Sequence, residues 1–396
     1  MLYLHIPFCK QACSYCNFHF STSMKTREAV LAGINKELGL RRGELREGPI
    51  PSVYFGGGTP SLLTEAELGG IFTTLNAEIY LGSRSSNVPS TSASHPEITL
   101  EANPDDLDER TIAMLAASPV NRLSIGIQSF FEEDLRFMNR AHSADEARTA
   151  VGKVTKAGFQ DVSIDLIYGG QTTTDEMWAK NLRIATDLGV THISAYALTI
   201  EPKTALGVQV AKGKVADTDD AKFQRHFEML VDHLTAAGYR HYEISNFCLP
   251  GHPSRHNSGY WSGEPYLGIG PGAHGFDGKN TRRWNVSSNA TYAKAMAEIN
   301  NREAYIAAKD FLYEEEVLTE ADRYNEYIMT GLRRESGVNI SDLAAHFGEE
   351  KATHFQSNQR ENVVAGLFED IIGGRYRLSR TGLMRADGIA ADAFWV

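Results

Sequence analysis

Cysteine is scarce in this chain, four residues in 396, and that scarcity leaves no material for a disulfide scaffold. Positive charge is short as well. With 39 Lys and Arg against 50 Asp and Glu, the formal net charge is −11. That balance argues against nucleic acid as a main partner, since nucleic acid normally leaves a basic footprint; peripheral contact with a membrane stays open. No apolar run approaches the ~20 residues that cross a bilayer, and no basic segment leading into an apolar core opens the chain. A cytosolic protein is therefore expected, in a compartment where thiols stay reduced. No G-x-G-x-x-G run opens a helix, so a dinucleotide fold has little support. What remains, at 42% apolar residues, is globular.

Short β-rich runs alternate with amphipathic stretches. Strands are expected at Leu2–Phe8, Ser52–Gly56, Glu97–Glu101, Arg122–Gln128, Asp161–Tyr168, His192–Leu198 and His241–Ser245. Helices are expected at Thr26–Arg41, Thr64–Tyr80, Leu107–Ala117, Ala144–Ala157, Thr174–Leu188 and Asp217–Ala237. Thr64 with Glu67 makes a capping-box pattern, and Gly158 and Gly238 stand where helices should stop. Such alternation implies an α/β fold with parallel strands covered by helices, as an open sheet or a partial (β/α) barrel. Chemistry in such folds gathers at the carboxyl ends of the strands. Gly56–Pro60, Glu101–Pro104, Gln128, Ser129, Asp165 and Tyr168–Gly170 all fall there. The Ser-rich stretch 83–94 reads as a surface loop. Near Asn300–Phe311 the alternation stops, dividing the chain into a domain over 1–300 and a small, mainly helical one over 301–396. The second is expected to hold helices around Glu320–Glu335 and Ser341–Phe347, a strand at Tyr376–Leu378 and a closing helix near Leu383–Phe394, an order compatible with a winged-helix form. Its frequent acidic residues suit packing or partner docking rather than DNA.

Cys9, Cys13 and Cys16 follow the first strand as C-x3-C-x2-C. Three thiolates on one short loop can hold three corners of a four-iron cluster, leaving the fourth iron for a small chelating molecule. The same thiolates with His5 or His19 could instead make a Cys3His zinc site. Cys248 ends a strand-like run and reads as a buried, inert thiol. The triple glycine Gly56–Gly58 would let backbone approach a ligand closely, or simply form a tight turn. Glu101 could accept the two ribose hydroxyls of a nucleoside, or face solvent from a loop.

The motif resembles that of the radical S-adenosylmethionine (SAM) superfamily. Tyr3–Cys9, Gly56–Ser61, Glu101–Asp105, Ser124–Ser129, Asn139-Arg140 and Ile164–Gly169 resemble the oxygen-independent coproporphyrinogen III oxidases and their relatives, with a weaker likeness in Leu378–Leu383. The resemblance implies one [4Fe-4S] cluster on Cys9, Cys13 and Cys16, and SAM contacts at Tyr3, Tyr15, Gly57, Gly58, Thr59, Glu101, Gln128, Arg140, Asp165 and Ala197. Two departures stand out. Phe18 occupies the place of the oxidases' fourth cysteine, and only two residues precede Tyr3 where the oxidases have a longer arm. Both are similar to the HemW branch, whose mark H-N-x-x-Y-W reads here as His256-Asn257-Ser-Gly-Tyr260-Trp261. That branch implies a heme chaperone which delivers heme to an acceptor protein, with His256 as an axial ligand in a loop and Asn257, Tyr260 and Trp261 around the porphyrin. Gly268–His274 is expected to form a further loop over the barrel mouth, with His274 a second contact. The rival functions are a true coproporphyrinogen III oxidase and a non-catalytic, metal-bound interaction protein.

Overall fold

The computed structural model describes residues 1–45, 50–78, 95–369 and 371–396; the Ser-rich stretch 83–94 lies outside them. Six strands, β1 (Leu2–Ile6), β2 (Ser52–Gly57), β3 (Glu97–Ala102), β4 (Arg122–Gln128), β5 (Asp161–Tyr168) and β6 (His192–Ala197), lie side by side in chain order and all parallel. The sheet is then extended at both ends. β7 (Arg240–Glu243) and β8 (Asn246–Cys248) form an antiparallel hairpin on β6, and β9 (Leu267–Ile269) adds parallel to β1. β7 and β9 remain as the two edges of the nine-stranded sheet, so the barrel is partial.

Parallel strands covered on both faces usually read as continuous apolar runs. These instead alternate. Leu2, Leu4, Ile6, Val53, Phe55, Ile98, Leu100, Leu123, Ile125, Val162, Ile164 and Ile193 bury one face against the helices. The other face carries Tyr3, Tyr54, Glu101, Arg122, Ser124, Gln128, Ser163, Asp165, His192 and Ser194, which line a shared cavity. Period two puts one set on each side of the pleat, so the sheet has an oily outer face and a polar inner one.

The expected helices form within a few residues of their expected ends, including Arg27–Arg41, Ala144–Lys156 and Asp175–Asp187, except that the end expected at Tyr80 lies outside the described residues and the closing helix expected near Leu383–Phe394 is two short ones, Arg380–Leu383 and Ala386–Ala391. Thr64 and Glu67 make the reciprocal capping contacts, and Gly158 and Gly238 take positive φ where helices end. Two expectations are corrected. The strand expected at His241–Ser245 ends at Glu243 as β7, with Ile244 and Ser245 forming the turn into β8, and Gly268 belongs to β9 rather than to a loop. Three-residue strands carry too little periodicity to be seen, and glycine hides this one. A Cβ on Gly268 would run into the His274 carbonyl, so the close approach selects glycine and removes the strand signal.

A three-stranded antiparallel sheet follows, of β10 (His274–Phe276), β11 (Thr281–Asn285) and β12 (Tyr313–Val317). The large apolar core runs on through Tyr305, Leu312 and Tyr313. A second core gathers Tyr324, Ile328, Leu332, Val338, Leu343, Phe355 and Tyr376. It is built from helices such as Glu320–Leu332 and Ile340–Phe347 around the small pair β13 (Val338–Asn339) and β14 (Arg375–Tyr376). Backbone bonds from Ile244 to Arg333 and from Glu335 to Tyr242 tie this region to the β7–β8 hairpin. Among the described residues, no helix is long and apolar enough to cross a membrane.

One buried charge fastens the edge of the sheet. Glu37, on the helix Arg27–Arg41, is fully buried. Its carboxylate accepts from Arg41 Nη1 at 3.0 Å, Asn285 Nδ2 and Tyr305 OH at 2.8 Å, Tyr292 OH at 2.7 Å and the Gly270 amide at 2.9 Å. Burial pushes its pKa up, but Arg41 and these donors outweigh burial and hold it below the usual carboxylate value. Arg41 also donates to the Gly268 carbonyl at 2.7 Å, pinning β9. Glu37→Ala should therefore cost ~1–3 kcal/mol in denaturant unfolding, because it leaves the buried donors of Tyr292, Tyr305, Asn285 and Gly270 unsatisfied, while Arg41 keeps its pair with Glu44. A loss no larger than that of a surface Glu→Ala change would contradict this role.

Candidate functional site

The polar face of the sheet and the loops at its carboxyl end enclose one cavity of about 610 Å³. Cys9, Cys13 and Cys16 line its mouth, all half-buried. Their loop is held from two sides. The Cys9 amide donates to the Ser21 carbonyl at 3.0 Å, and Asn139 Nδ2 donates to the Ala12 carbonyl at 2.7 Å. Arg140 donates to Cys13 Sγ at 3.3 Å, to Asn103 Oδ1 at 2.6 Å and to the Gly126 carbonyl at 2.8 Å, joining the loop to β3 and β4. Asn139 takes φ 53° and Gln128 φ 64°, left-handed conformations that cost a non-glycine residue energy and concentrate at functional sites.

Burial raises the pKa of Cys9 to about 11, with Cys16 and Cys13 adding to it against a Thr59 hydrogen bond, and burial likewise raises that of Cys16. Crowded thiols of this kind ionise when iron supplies the opposite charge. The zinc alternative finds no support in the histidines. His5 bonds Tyr3 OH at 3.0 Å and the His19 carbonyl at 2.8 Å, and His19 Nε2 bonds Asn289 Oδ1 at 2.8 Å. Among the described residues no three His, Cys, Asp or Glu side chains converge to hold a single ion.

Every residue expected at the SAM site lines this cavity: Tyr3, Tyr15, Gly57, Gly58, Thr59, Glu101, Gln128, Arg140, Asp165 and Ala197. Gly57 has φ 103°, and a Cβ there would strike the His5 ring, so the turn admits only glycine. The Gly57 amide donates to Glu101 Oε2 at 3.2 Å, and Tyr54 OH donates to Oε1 at 2.8 Å. Glu101 thus faces the cavity rather than solvent. Burial, assisted by Asp165, raises its pKa to about 7 against the Tyr54 and Gly57 hydrogen bonds. Burial raises Asp165 to about 6, opposed by Ser194, Arg122, Ser124 and Arg140. Two such carboxylic acids make a cavity that gains charge when a cation enters.

His256, Asn257 and Tyr260 also line the cavity, whereas Trp261 and His274 do not. The segment is not a loop: Arg255–Trp261 is a helix. Glu97, buried at the start of β3, accepts from the Arg255 and His256 amides at 2.9 and 3.0 Å, and Ser254 caps the Asn257 amide. The local pattern hid this helix because its N-terminal amides are satisfied by a carboxylate far away in sequence. His256 is 1% exposed. Its Nδ1 bonds Ser52 Oγ at 2.8 Å, its Nε2 bonds Tyr260 OH at 2.9 Å, and its ring stacks on Tyr54 with centroids 5.0 Å apart. Burial lowers its pKa to about 3, with the N-terminal amine and Arg122 adding to the effect. The ring is neutral, yet both nitrogens are engaged. Trp261 lies instead near Arg333, whose guanidinium carbon is 5.8 Å from the indole centroid.

Several lining residues were not read from the sequence, notably Tyr54, Arg122, Ser163, His192, Ser194 and Tyr196. The available signal was the polar alternation in Arg122-Leu-Ser-Ile-Gly-Ile-Gln128 and His192-Ile-Ser-Ala-Tyr196, which marks a sheet face turned to polar surroundings.

Two tests follow from this geometry. SAM, a cation, should bind more weakly as pH falls from about 7 to about 5, because Glu101 and Asp165 must then lose protons on binding, and Glu101→Gln should flatten part of that slope. A flat calorimetric profile for the wild type would contradict it. His256→Ala should lower stability by about 1–3 kcal/mol, through Ser52 and Tyr260 left unsatisfied, while the spectrum of added hemin stays unchanged. A shifted Soret band without loss of stability would restore His256 as a ligand.

Comparison with known proteins fits this geometry. Residues 3–185 match the Radical SAM superfamily and residues 318–385 match the HemN C-terminal domain. Coproporphyrinogen III oxidase (HemN) from Escherichia coli, a radical SAM enzyme, superposes with a TM-score of 0.80 at 21% identity, covering 99% of this chain and 89% of that one. It shares the fold. The heme chaperone HemW of Mycobacterium tuberculosis is 33% identical over 98% of this chain and 93% of its own length. That of Bacillus subtilis is 32% identical over 93% and 92%. With relatives this similar over nearly their whole length, the chain belongs to the HemW family of radical SAM proteins.

Proposed function

We propose that this protein is a cytosolic heme chaperone that carries one [4Fe-4S] cluster and SAM, binds heme and passes it to an acceptor protein. The observation that carries the reading is the near-full-length similarity to heme chaperones. Phe18 agrees with it: 70% exposed at the cavity mouth, it offers no thiol where the oxidases have a fourth cysteine. Cys9, Cys13 and Cys16 would hold the cluster, and a cluster with SAM bound supplies one-electron chemistry on the sulfonium. The chain's own residues orient and enclose. Arg140 fixes the thiol loop, Glu101 and Asp165 meet positive charge, and Gly57 and Gly58 line the cavity in a turn held by Glu101 and the Ile6 carbonyl.

Heme needs apolar surface as well as a ligand. Phe18 and Tyr196, 70% and 46% exposed, line the mouth and give a flat ring something to lie against. On this reading the His256 helix walls the cavity and keeps Tyr54 and Tyr260 in place. Oxidase chemistry is not favoured.

The test is anaerobic reconstitution with iron and sulfide, followed by hemin and coproporphyrinogen III in parallel. The reading expects about four irons per chain, stoichiometric hemin binding and no protoporphyrinogen. Catalytic formation of protoporphyrinogen, or failure to bind hemin, would overturn it. Cys248→Ser should retain the iron, since Cys248 is fully buried in β8; loss of the cluster in that variant would contradict ligation by Cys9, Cys13 and Cys16 alone.

A further inference from the structure

Arg122 opens β4 and is 4% exposed, yet its Nη2 has no hydrogen-bond partner. Among the described residues no carboxylate lies within ion-pairing distance of it, although its guanidinium lines the cavity. A buried guanidinium without a counter-ion is unfavourable, and proteins ordinarily pair one or replace it. Thr99, its in-register neighbour on β3, is fully buried and its Oγ1 is also unpartnered. One cationic donor and one hydroxyl therefore stand unused on adjacent strands.

Two carboxylates stand near Arg122 without pairing with it: Asp161, in register on β5, bonds His252, and Asp165 feels the guanidinium's charge without touching it, while the neutral groups around it are already satisfied. Ser163 Oγ bonds His192 Nδ1 at 2.7 Å, and His192 Nε2 bonds Tyr242 OH at 2.8 Å. Burial first, then Arg122, holds His192 well below its usual pKa, so it adds no charge. The acids above are engaged elsewhere, Glu101 by Tyr54 and Gly57, and Asp165 by Ser124. Ser124 pairs with Glu101 across β3 and β4, whereas Arg122 pairs with Thr99. The unused pair is thus one layer deeper, about 7 Å along the strands.

We propose that Arg122 forms a carboxylate-binding subsite on the cavity floor that receives one propionate arm of a tetrapyrrole. Guanidinium grips a carboxylate through two parallel hydrogen bonds. The tetrapyrrole identity rests on the heme reading above; the carboxylate chemistry does not.

The test compares hemin with hemin dimethyl ester, and adds sodium propionate alone, for wild type, Arg122→Gln and Arg122→Lys. Wild type should bind hemin about tenfold or more tightly than the ester, as expected for a charge-assisted pair. Arg122→Gln should lose that preference by weakening hemin only, and its ligand-free melting temperature should equal or exceed that of wild type, because an uncompensated charge has gone. A full preference retained in Arg122→Gln overturns the proposal. So does a large fall in its melting temperature that Arg122→Lys restores, which would make Arg122 structural. If acid and ester bind alike, or neither binds, while sodium propionate raises the melting temperature of wild type but not of Arg122→Gln, the carboxylate subsite stands and the tetrapyrrole identity fails. No response to propionate together with equal binding, or no binding, of acid and ester removes both.

Discussion

Charge buried on the inner face of a parallel sheet is the constraint on which the rest of this structure depends. Glu101 and Asp165 both lie on that face, and burial is the main cause that raises the pKa of each, with Asp165 adding to the effect on Glu101. Keeping them there requires an apolar opposite face that pays the stability cost, and Leu100, Ile125, Ile164 and their neighbours provide it. It also requires donors within reach. Tyr54 and the Gly57 amide satisfy Glu101, and Ser124 reaches Asp165. The cavity is therefore prepared for a cation before one arrives.

The same logic organises the two ends of the cavity. At the mouth, Arg140 links a thiol to Asn103 and to the β4 backbone, so the loop that would carry a cluster is coupled to the strands that would carry its partner molecule. At the base, Glu97 holds the first amides of the helix Arg255–Trp261, and that helix sets His256 between Ser52 and Tyr260. In three dimensions the motif is a helix whose histidine is held by hydrogen bonds on both ring nitrogens. At the sheet edge Glu37 and Arg41 do comparable work, joining Gly268, Gly270 and Asn285 to the first helix.

Legibility in the sequence followed segment length and locality. β1 to β6 and the main helices were readable because each runs through two periods or more, and several are followed by a glycine of positive φ such as Gly158, Gly169 and Gly238. β8 and β9 were not, being three residues each, and Gly268 at the centre of β9 carries no side chain to show a pattern. The cavity residues expected from the family resemblance gather in one place because they sit at successive strand ends. Arg122 and His192 went unread because they begin their strands, away from the carboxyl ends where chemistry was sought. The helix at His256 was missed because the carboxylate that holds it belongs to β3.

The central claim is that three thiolates leave one corner of a cluster open toward the cavity holding Glu101 and Asp165. Electron paramagnetic resonance of the reduced, cluster-loaded protein, recorded before and after SAM is added, tests it most directly. An open corner facing this cavity predicts that SAM changes the g-values of the cluster signal in wild type. An identical spectrum with and without saturating SAM would contradict the account.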